Sequence, residues 1–157
     1  MNINIPTSQI KAAQDYVKEI ADPKDIVKAL TTVAARGVDI ILKRTAVGKG
    51  YKGSFKNYHP AYAKWKREVA KHTKIIPNLE LSGDMLRDMH FRQAGKMASE
   101  IYFRSPTSAK KAIRNNMTRP FFGFNTSERD KLVKRFHMTY KSIIDKKKAR
   151  IAMAGAK

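Results

Sequence analysis

The sequence predicts an α+β protein in which long helices pack on a small antiparallel β-sheet, within a single domain over residues 1–157. Two apolar stripes with helical spacing predict long helices near residues 24–44 and 127–148. Between them, residues 88–104 alternate apolar and polar side chains, which is typical of a β-hairpin with strands at 88–93 and 99–104. A chain of 157 residues can bury a core of its own.

The first two predicted helices meet at a proline. Residues 1–22 are predicted to form an N-terminal helix, because apolar residues recur at helical spacing between Ile10 and Ile20. Pro23 ends this helix, since the residue before a proline avoids helical backbone angles, and Asp22 can cap the next helix. The apolar stripe of that next helix comprises Ile26, Leu30, Val33, Gly37, Ile40 and Ile41.

A basic, glycine-rich, flexible loop is predicted over residues 45–58. Its segment Gly48–Gly53 matches the letters GxGxxG of a dinucleotide-binding fingerprint, but a predicted helix precedes it and no helix start follows. Ser54 stands where a phosphate-binding loop requires lysine. The sequence therefore favours a hydrated cationic loop over a cofactor site, and no cofactor is expected.

The middle of the chain is predicted to contain a third helix from about Pro60 to His72, and then a short helix capped by Ser82. Trp65 is predicted to anchor the core from the third helix. The aromatic residues between 51 and 65 are interleaved with lysines, a mixture that is also typical of single-stranded nucleic-acid sites. Both interpretations stay open for this segment.

The last predicted helix is capped by Thr126 or Ser127 and followed by a tail over 149–157 that is predicted to be disordered. Residues 109–116, which precede it, are polar and fit either a loop or a short helix. The apolar stripe of the last helix comprises Leu132, Phe136, Tyr140, Ile143 and Ile144.

The charge of the chain is far from balanced. The 33 Lys and Arg residues against 13 Asp and Glu residues give a formal net charge of +20. Charge of this size opposes compaction, so we expect a polyanion or an acidic protein as partner. The first 39 residues balance, and the excess lies in blocks over 43–74 and 129–157. The residues predicted to contact DNA or an acidic partner are Lys49, Lys52, Lys56, Lys146, Lys147, Lys148 and Arg150.

Residues that carry catalysis are scarce in this sequence. The chain has no cysteine, which excludes disulfides and thiol catalysis. Its four histidines lack metal-ligand spacing, and Asp88 is the one carboxylate placed to orient a histidine, His90. The sequence therefore predicts no enzyme and no metal site. It also shows no signal-peptide pattern and no membrane-spanning run, so no membrane partner is expected.

An aromatic run follows a proline late in the chain. Pro120 holds the entry extended, and three phenylalanines in the next four positions cannot all face one core. We expect at least one of them to meet another subunit, because an exposed aromatic cluster without a partner favours aggregation. Together with two aromatics of the basic loop, the predicted assembly interface comprises Tyr51, Phe55, Arg119, Phe121, Phe122 and Phe124.

Four motifs occur in order between about Phe55 and Leu132. They are the segment YAKWK at 62–66, the turn LSGDML at 81–86, the alternating hairpin, and the run RPFFGF at 119–124. In this order they resemble the phage virion-morphogenesis, or tail-completion, proteins, which join a DNA-filled head to a tail. Residues 106–117 depart from that family, because they lack a histidine and a glycine that it often carries there.

The resemblance implies an α+β fold, no enzymatic activity, and a ring-shaped oligomer at the head–tail junction of the virion, made in the host cytoplasm. The implied partners are further copies of the chain, other neck or tail proteins, and the DNA passing through the ring, bound without sequence preference. The resemblance does not distinguish adaptor, stopper, terminator and completion proteins. The alternative hypothesis is a small non-specific nucleic-acid-binding protein.

Overall fold

A computed structural model describes residues 22–71, 75–79, 82–95 and 97–154. Within these residues, five helices pack against two antiparallel sheets of two strands each, which confirms the predicted α+β class. The predicted helix over 1–22 lies outside the described residues, apart from Asp22. The elements are α1 (Pro23–Ala46), β1 (Lys49–Gly50), β2 (Gly53–Ser54), α2 (Pro60–Glu68), α3 (Asp84–Arg87), β3 (Met89–Gly95), β4 (Ala98–Phe103), α4 (Pro106–Thr118) and α5 (Thr126–Ala154).

Helix α1 is the central element and follows the sequence prediction closely. The Asp22 carboxylate caps its start by accepting a hydrogen bond of 2.8 Å from the backbone N–H of Lys24. Gly37, in the middle of α1, lets the β3–β4 hairpin and the aromatic run approach closely. A Cβ atom at this position would lie 2.9 Å from Ile101 Cδ1 and 2.9 Å from Phe124 Cζ.

The predicted β-hairpin forms with the predicted pairing. Strands β3 and β4 are antiparallel, with Met89 opposite Phe103 and Phe91 opposite Ile101. Residues that pair directly lie on the same face of a hairpin, so the alternating pattern separates an apolar face from a polar one. Met89 is buried in the core, whereas Phe91, farther along the strand, is exposed.

The prediction of a flexible loop over residues 45–58 is wrong. These residues end α1 and then form a small hairpin that packs on the core. Strands β1 and β2 pair antiparallel, and Phe55 behind them is buried. Gly50 makes this packing possible, because its backbone lies against Pro120, and the N–H of Tyr51 donates to the Pro120 carbonyl at 3.0 Å.

The core forms where α1, the β3–β4 hairpin and the aromatic run meet. Phe121 is completely buried, and its ring centroid lies 6.5 Å from that of Phe103 and 6.1 Å from that of Phe122. Separations in this range are typical of paired aromatic rings in protein cores. The core cluster comprises Ile41, Phe55, Met85, Leu86, Met89, Ala112 and Phe121.

Two predictions for the middle of the chain are wrong. Helix α2 ends at Glu68 rather than near His72, and Trp65 on it is 41% exposed instead of anchoring the core. The fully buried member of α2 is Lys66, whose Nζ donates to Asn78 Oδ1 at 3.2 Å. A lysine takes the inner position here because polar and aromatic neighbours offset the desolvation of its charge.

The short helices are capped as follows. The N-cap of α3 is Gly83, in a left-handed conformation with φ of 78°, and the predicted cap Ser82 accepts only a long bond of 3.4 Å from Asp84 N. Glycine adopts this conformation without a steric penalty. Residues 109–116, ambiguous in the sequence, belong to the helix α4 (Pro106–Thr118), whose N-cap is Ser105.

Helix α5 is longer than predicted and is capped by a different residue. The cap is Asn125, not Thr126 or Ser127: Asn125 Oδ1 accepts from Glu128 N at 2.9 Å, and Glu128 Oε2 accepts from Asn125 N at 3.0 Å. This reciprocal pair is a capping box. The helix continues to Ala154, so the predicted disordered tail is wrong over 149–154, and residues 155–157 lie outside the described part.

A buried arginine ties three parts of the fold together. Arg44, in the last turn of α1, forms an ion pair through Nη1 with Glu128 of α5. Its Nη2 donates to the carbonyl oxygens of Phe121 at 2.6 Å and Gly123 at 2.9 Å. The side chains of Arg44 and Glu128 are only 9% and 13% exposed. Arg44 therefore links α1, the aromatic run and the start of α5.

We expect Arg44→Met to lower the free energy of unfolding by about 3–5 kcal/mol, because it leaves the buried Glu128 carboxylate without its partner. Arg36→Met is the matched control, since Arg36 pairs with Asp39 on the exposed surface of the same helix and should cost at most about 1 kcal/mol. The double variant Arg44→Met/Glu128→Leu should recover part of the loss. Equal losses from Arg44→Met and Arg36→Met in urea denaturation would contradict this account.

We expect Gly50→Ala to destabilise the protein by about 1–3 kcal/mol, the usual cost of forcing an extra carbon into a packed site. Its Cβ would lie 2.1 Å from the Pro120 carbonyl oxygen, so the β1–β2 hairpin would have to move and lose its bond to that oxygen. Gly95→Ala is the control, because nothing lies within 4 Å of a Cβ built there. Thermal denaturation of both variants measures the difference, and an unchanged Gly50→Ala protein would refute the close approach.

Candidate nucleic-acid interface

Helix α5 has two different sides and no fully buried residue. The side that faces the rest of the chain carries a half-buried stripe, which repeats every three or four residues as helical geometry requires. This stripe comprises Glu128, Leu132, Phe136, Tyr140, Ile143, Ile144, Lys147 and Ile151. The helix is therefore held along its length on one side and open to solvent on the other.

The open side of α5 is strongly basic. Eight exposed Lys and Arg residues face only two exposed acidic residues on this helix, Asp130 and Asp145. None of the eight forms an ion pair with any residue in the described part of the chain. We call this set the α5 cationic face, and it comprises Arg129, Lys131, Lys134, Arg135, Lys141, Lys146, Lys148 and Arg150.

A groove between α1 and α5 continues the cationic face. Two adjoining cavities, one of about 770 Å³ and one of about 520 Å³, share Arg135 and Met138 and lie end to end along the helix pair. The part of α5 that lines them runs from Glu128 to Arg150, which corresponds to a length of about 33 Å at 1.5 Å per residue. Helix α1 contributes Lys28, Arg36 and Lys43 to the opposite wall.

The acidic residues of this groove are already bound to cations. Asp39 pairs with Arg36 and, at 3.1 Å, with Lys43. Asp25 pairs with Lys147. Because these carboxylates are neutralised locally, the field of the groove is set by the cations that have no acidic neighbour.

The structure separates the two groups of lysines that the sequence singled out. Lys146, Lys148 and Arg150 belong to the α5 cationic face, beside the start of α1. The residues Lys49, Lys52 and Lys56 are exposed on and after the β1–β2 hairpin, which follows the opposite end of α1. Since α1 has 24 residues, the two groups lie about 36 Å apart along its axis.

Lys147 is a member of the predicted contact set, but it does not belong to the α5 cationic face. Its side chain turns inward and binds Asp25 and, at 4.0 Å, Asp22, so that it ties α5 to the start of α1. The prediction was wrong because three consecutive lysines on a helix point in three directions, about 100° apart. One of them here falls on the inner stripe.

Two central members of the cationic face, Lys134 and Lys141, were not among the predicted contacts. Lys134, Lys141 and Lys148 recur every seven residues, which is two helical turns, so they form one row on the outer side of α5. Lys131 and Arg135 extend the set into the groove. The seven-residue spacing is visible in the sequence. Whether the row faces solvent depends on which side of α5 packs against the rest of the chain.

The predicted assembly interface falls largely inside the chain. Phe55 and Phe121 are core residues and are wrong as partner contacts, because the long-range contact of Gly50 with Pro120 buries both segments. The other four predicted residues, Tyr51, Arg119, Phe122 and Phe124, are half-buried. The aromatic run therefore serves first to dock on the core.

A second cluster of aromatic and basic residues lies at α2. The rings of Tyr58 and Tyr62 meet edge to face at 4.9 Å. The charged groups of Lys66 and Arg119 lie 5.0 Å and 5.1 Å from the centre of the Tyr58 ring, within cation–π range. Burial raises the pKa of the Tyr58 phenol above its ordinary value of 10.0, and the neighbouring Tyr62 adds to this, whereas Arg119 opposes it.

Neither a protein-family model, nor a curated protein, nor a solved structure matches this chain. Within the described residues, no three or more His, Asp or Glu side chains cluster as a metal site would require. Among the helices of the described part, none has the length and apolar character needed to cross a membrane.

We expect Tyr58 to ionise above pH 10.0 in the folded protein, because its raised pKa reflects burial of the phenol. The neutral phenol then stabilises the fold fully below the unfolded value of about 10, and this contribution is lost as the pH rises through the folded pKa. The difference in free energy of unfolding between wild type and Tyr58→Phe should therefore change in that pH window. Tyrosinate absorbance appearing below pH 10.0 in wild type but not in Tyr58→Phe would contradict the prediction.

Proposed function

We propose that this chain is a structural protein of the phage head–tail junction, which assembles as a ring and presents the α5 cationic face to DNA or to an acidic neighbour. The observation that carries the proposal is that face: eight exposed cations along a single helix, without ion-pair partners in the described part of the chain. The order of motifs between Phe55 and Leu132 supports the choice of family. The role proposed is architectural rather than catalytic.

The dimensions of the cationic face suit a nucleic-acid backbone. From Arg129 to Arg150 the face is about 32 Å long, at 1.5 Å per residue, which corresponds to about nine base pairs of duplex at 3.4 Å per pair. Flexible lysine side chains bind phosphates as point charges and do not fix the geometry needed to read base edges. The proposed contact is therefore electrostatic and independent of sequence.

Exposed apolar residues support an assembled form. Ile113 and Met117 lie one turn apart on α4 and are 65% and 81% exposed. A closed ring requires two different surfaces of each subunit to meet, and an apolar strip outside the core is suited to one of them. With Phe55 and Phe121 committed to the core, α4 replaces them as the proposed subunit contact.

The one histidine–carboxylate pair that suggested catalysis has another use. The Asp88 carboxylate accepts a hydrogen bond of 2.8 Å from the backbone N–H of Ser105, and its carbonyl accepts from Arg104. The His90 ring lies beside Tyr102, at 6.2 Å between centroids. Asp88 thus holds the start of α4 in place, and this supports a structural role.

A small non-specific nucleic-acid-binding protein is the second candidate, favoured by the same cationic face. The two candidate functions predict different oligomeric states in the absence of DNA. Native mass measurement without DNA should give one discrete high-order ring for a junction protein, and Ile113→Ser/Met117→Ser should reduce it to smaller species while circular dichroism stays unchanged. A wild-type monomer or dimer at every concentration, forming larger species only with DNA, would support the second candidate instead.

We expect neutralising the outer row of α5, by Lys134→Gln/Lys141→Gln/Lys148→Gln, to weaken DNA binding and to flatten its salt dependence. If each lysine binds one phosphate, the slope of log affinity against log salt should fall in magnitude by about 2.7. Lys49→Gln/Lys52→Gln/Lys56→Gln is the matched control, since it removes the same charge at the other end of α1. Equal losses from both triple variants would mean that overall charge, rather than this face, determines binding.

A further inference from the structure

A cavity separate from the α1–α5 groove lies between α2, the turn before α3, and α4. It has a volume of about 470 Å³, within the range of sites for small organic ligands. Aromatic and cationic side chains meet in it. The residues that carry the argument are Tyr58 and Tyr62 on one wall, and Lys111, Asn115 and Arg119 on the other.

The aromatic wall leads from the interior to the surface. Tyr62 stacks on Trp65, with 5.6 Å between the ring centroids and 28° between the planes. Both rings are about two-fifths exposed, at 38% and 41%. Burial of aromatic rings is strongly favourable, so a stacked pair left facing solvent provides a platform on which another planar ring can stack.

The cationic wall has donor capacity that the described part of the chain does not use. Arg119 is held against the Tyr58 ring, and its Nε is buried without a hydrogen-bond partner. A buried N–H without an acceptor destabilises the protein, and an entering acceptor would remove that cost. Lys111 lines the same cavity, is exposed, and forms no ion pair with any described residue.

We propose that this cavity binds one nucleotide unit of a single-stranded nucleic acid. The base stacks on the Tyr62 ring, which lines the cavity and is itself stacked on Trp65, and the phosphate is bound by Arg119 and Lys111. A duplex does not fit this chemistry, because its base faces are already stacked on one another. Stacking is largely independent of base identity, since every base has a π face, so the site prefers unpaired strands without reading sequence.

Trp65 reports on this site through its stack with Tyr62, and it is the one tryptophan of the chain. The protein carrying Lys134→Gln/Lys141→Gln/Lys148→Gln, which weakens the α5 cationic face, is titrated with a short oligothymidylate. An abasic oligomer of equal length carries the same phosphates without bases. Quenching of Trp65 fluorescence by oligothymidylate, and not by the abasic oligomer, is the expected result. Equal quenching by the two oligomers would overturn the proposal.

Two variants separate the proposed stack from the proposed phosphate contact. Tyr62→Leu keeps an apolar side chain without a π face and should weaken oligothymidylate binding about 5- to 150-fold, while leaving abasic binding unchanged. Arg119→Gln should weaken both. Phe91→Ala is the control, since Phe91 is 41% exposed on β3 and does not line the cavity. Circular dichroism checks that each variant is folded.

If the Tyr62→Leu variant bound oligothymidylate as tightly as the Phe91→Ala control does, the proposal would be overturned. Displacement of oligothymidylate by an acidic polypeptide at equal affinity would overturn it too, because this would identify the cavity as a protein contact. The proposal does not depend on the phage assignment, since a ring could form with or without this site.

Discussion

The fold depends on the bonds of one guanidinium group. Arg44 binds Glu128 and the carbonyl oxygens of Phe121 and Gly123, and in this way joins the end of α1 to the aromatic run and to the start of α5. At the other end of the helix pair, Lys147 of α5 binds Asp25 of α1. The long helices are thus fixed at both ends by ion pairs, while the apolar stripe between them is only half-buried. The direction of the α5 cationic face follows from these two attachments.

The same attachments explain how a chain of such charge stays compact. Most of the described acidic side chains neutralise a particular cation or bind a backbone N–H within the fold. Those that do so are Asp22, Asp25, Asp39, Asp84, Asp88, Glu100 and Glu128. Many of the cations without an acidic partner lie on the α5 cationic face, where they are well solvated and repel each other less than they would in the interior. Most acidic side chains of the described part therefore hold the fold together, and most of the cations without an acidic partner lie at its surface.

Local patterns predicted most of the fold, and long-range contacts account for what they missed. The stripes of α1 and α5 and the alternation of the β3–β4 hairpin depend on neighbours within a few residues, and all three elements form as expected. The burial of Phe55 and the ordering of its loop depend on Gly50 meeting Pro120, 70 positions later, which no local pattern reveals. Likewise, no spacing rule predicts that Lys66 is buried and Trp65 exposed, because the contacts of Lys66 with Tyr58 and Asn78 determine this arrangement. For the candidate site, the sequence shows the basic blocks, but it does not show which of their residues turn to solvent, because that depends on how α5 packs on α1.

The distance along the chain between Arg44 and its partners bears on how the protein is made. Those partners lie 77, 79 and 84 residues downstream. At a synthesis rate of about 5–20 residues per second, Glu128 is added about 4–17 s after Arg44. During this interval the nascent chain contains α1 and Phe55, but the aromatic run that covers them in the folded protein has not yet been made or has only just been added. The core can close only when most of the chain has left the ribosome, so the newly made protein passes through a long period in which chaperones have access to its apolar surface.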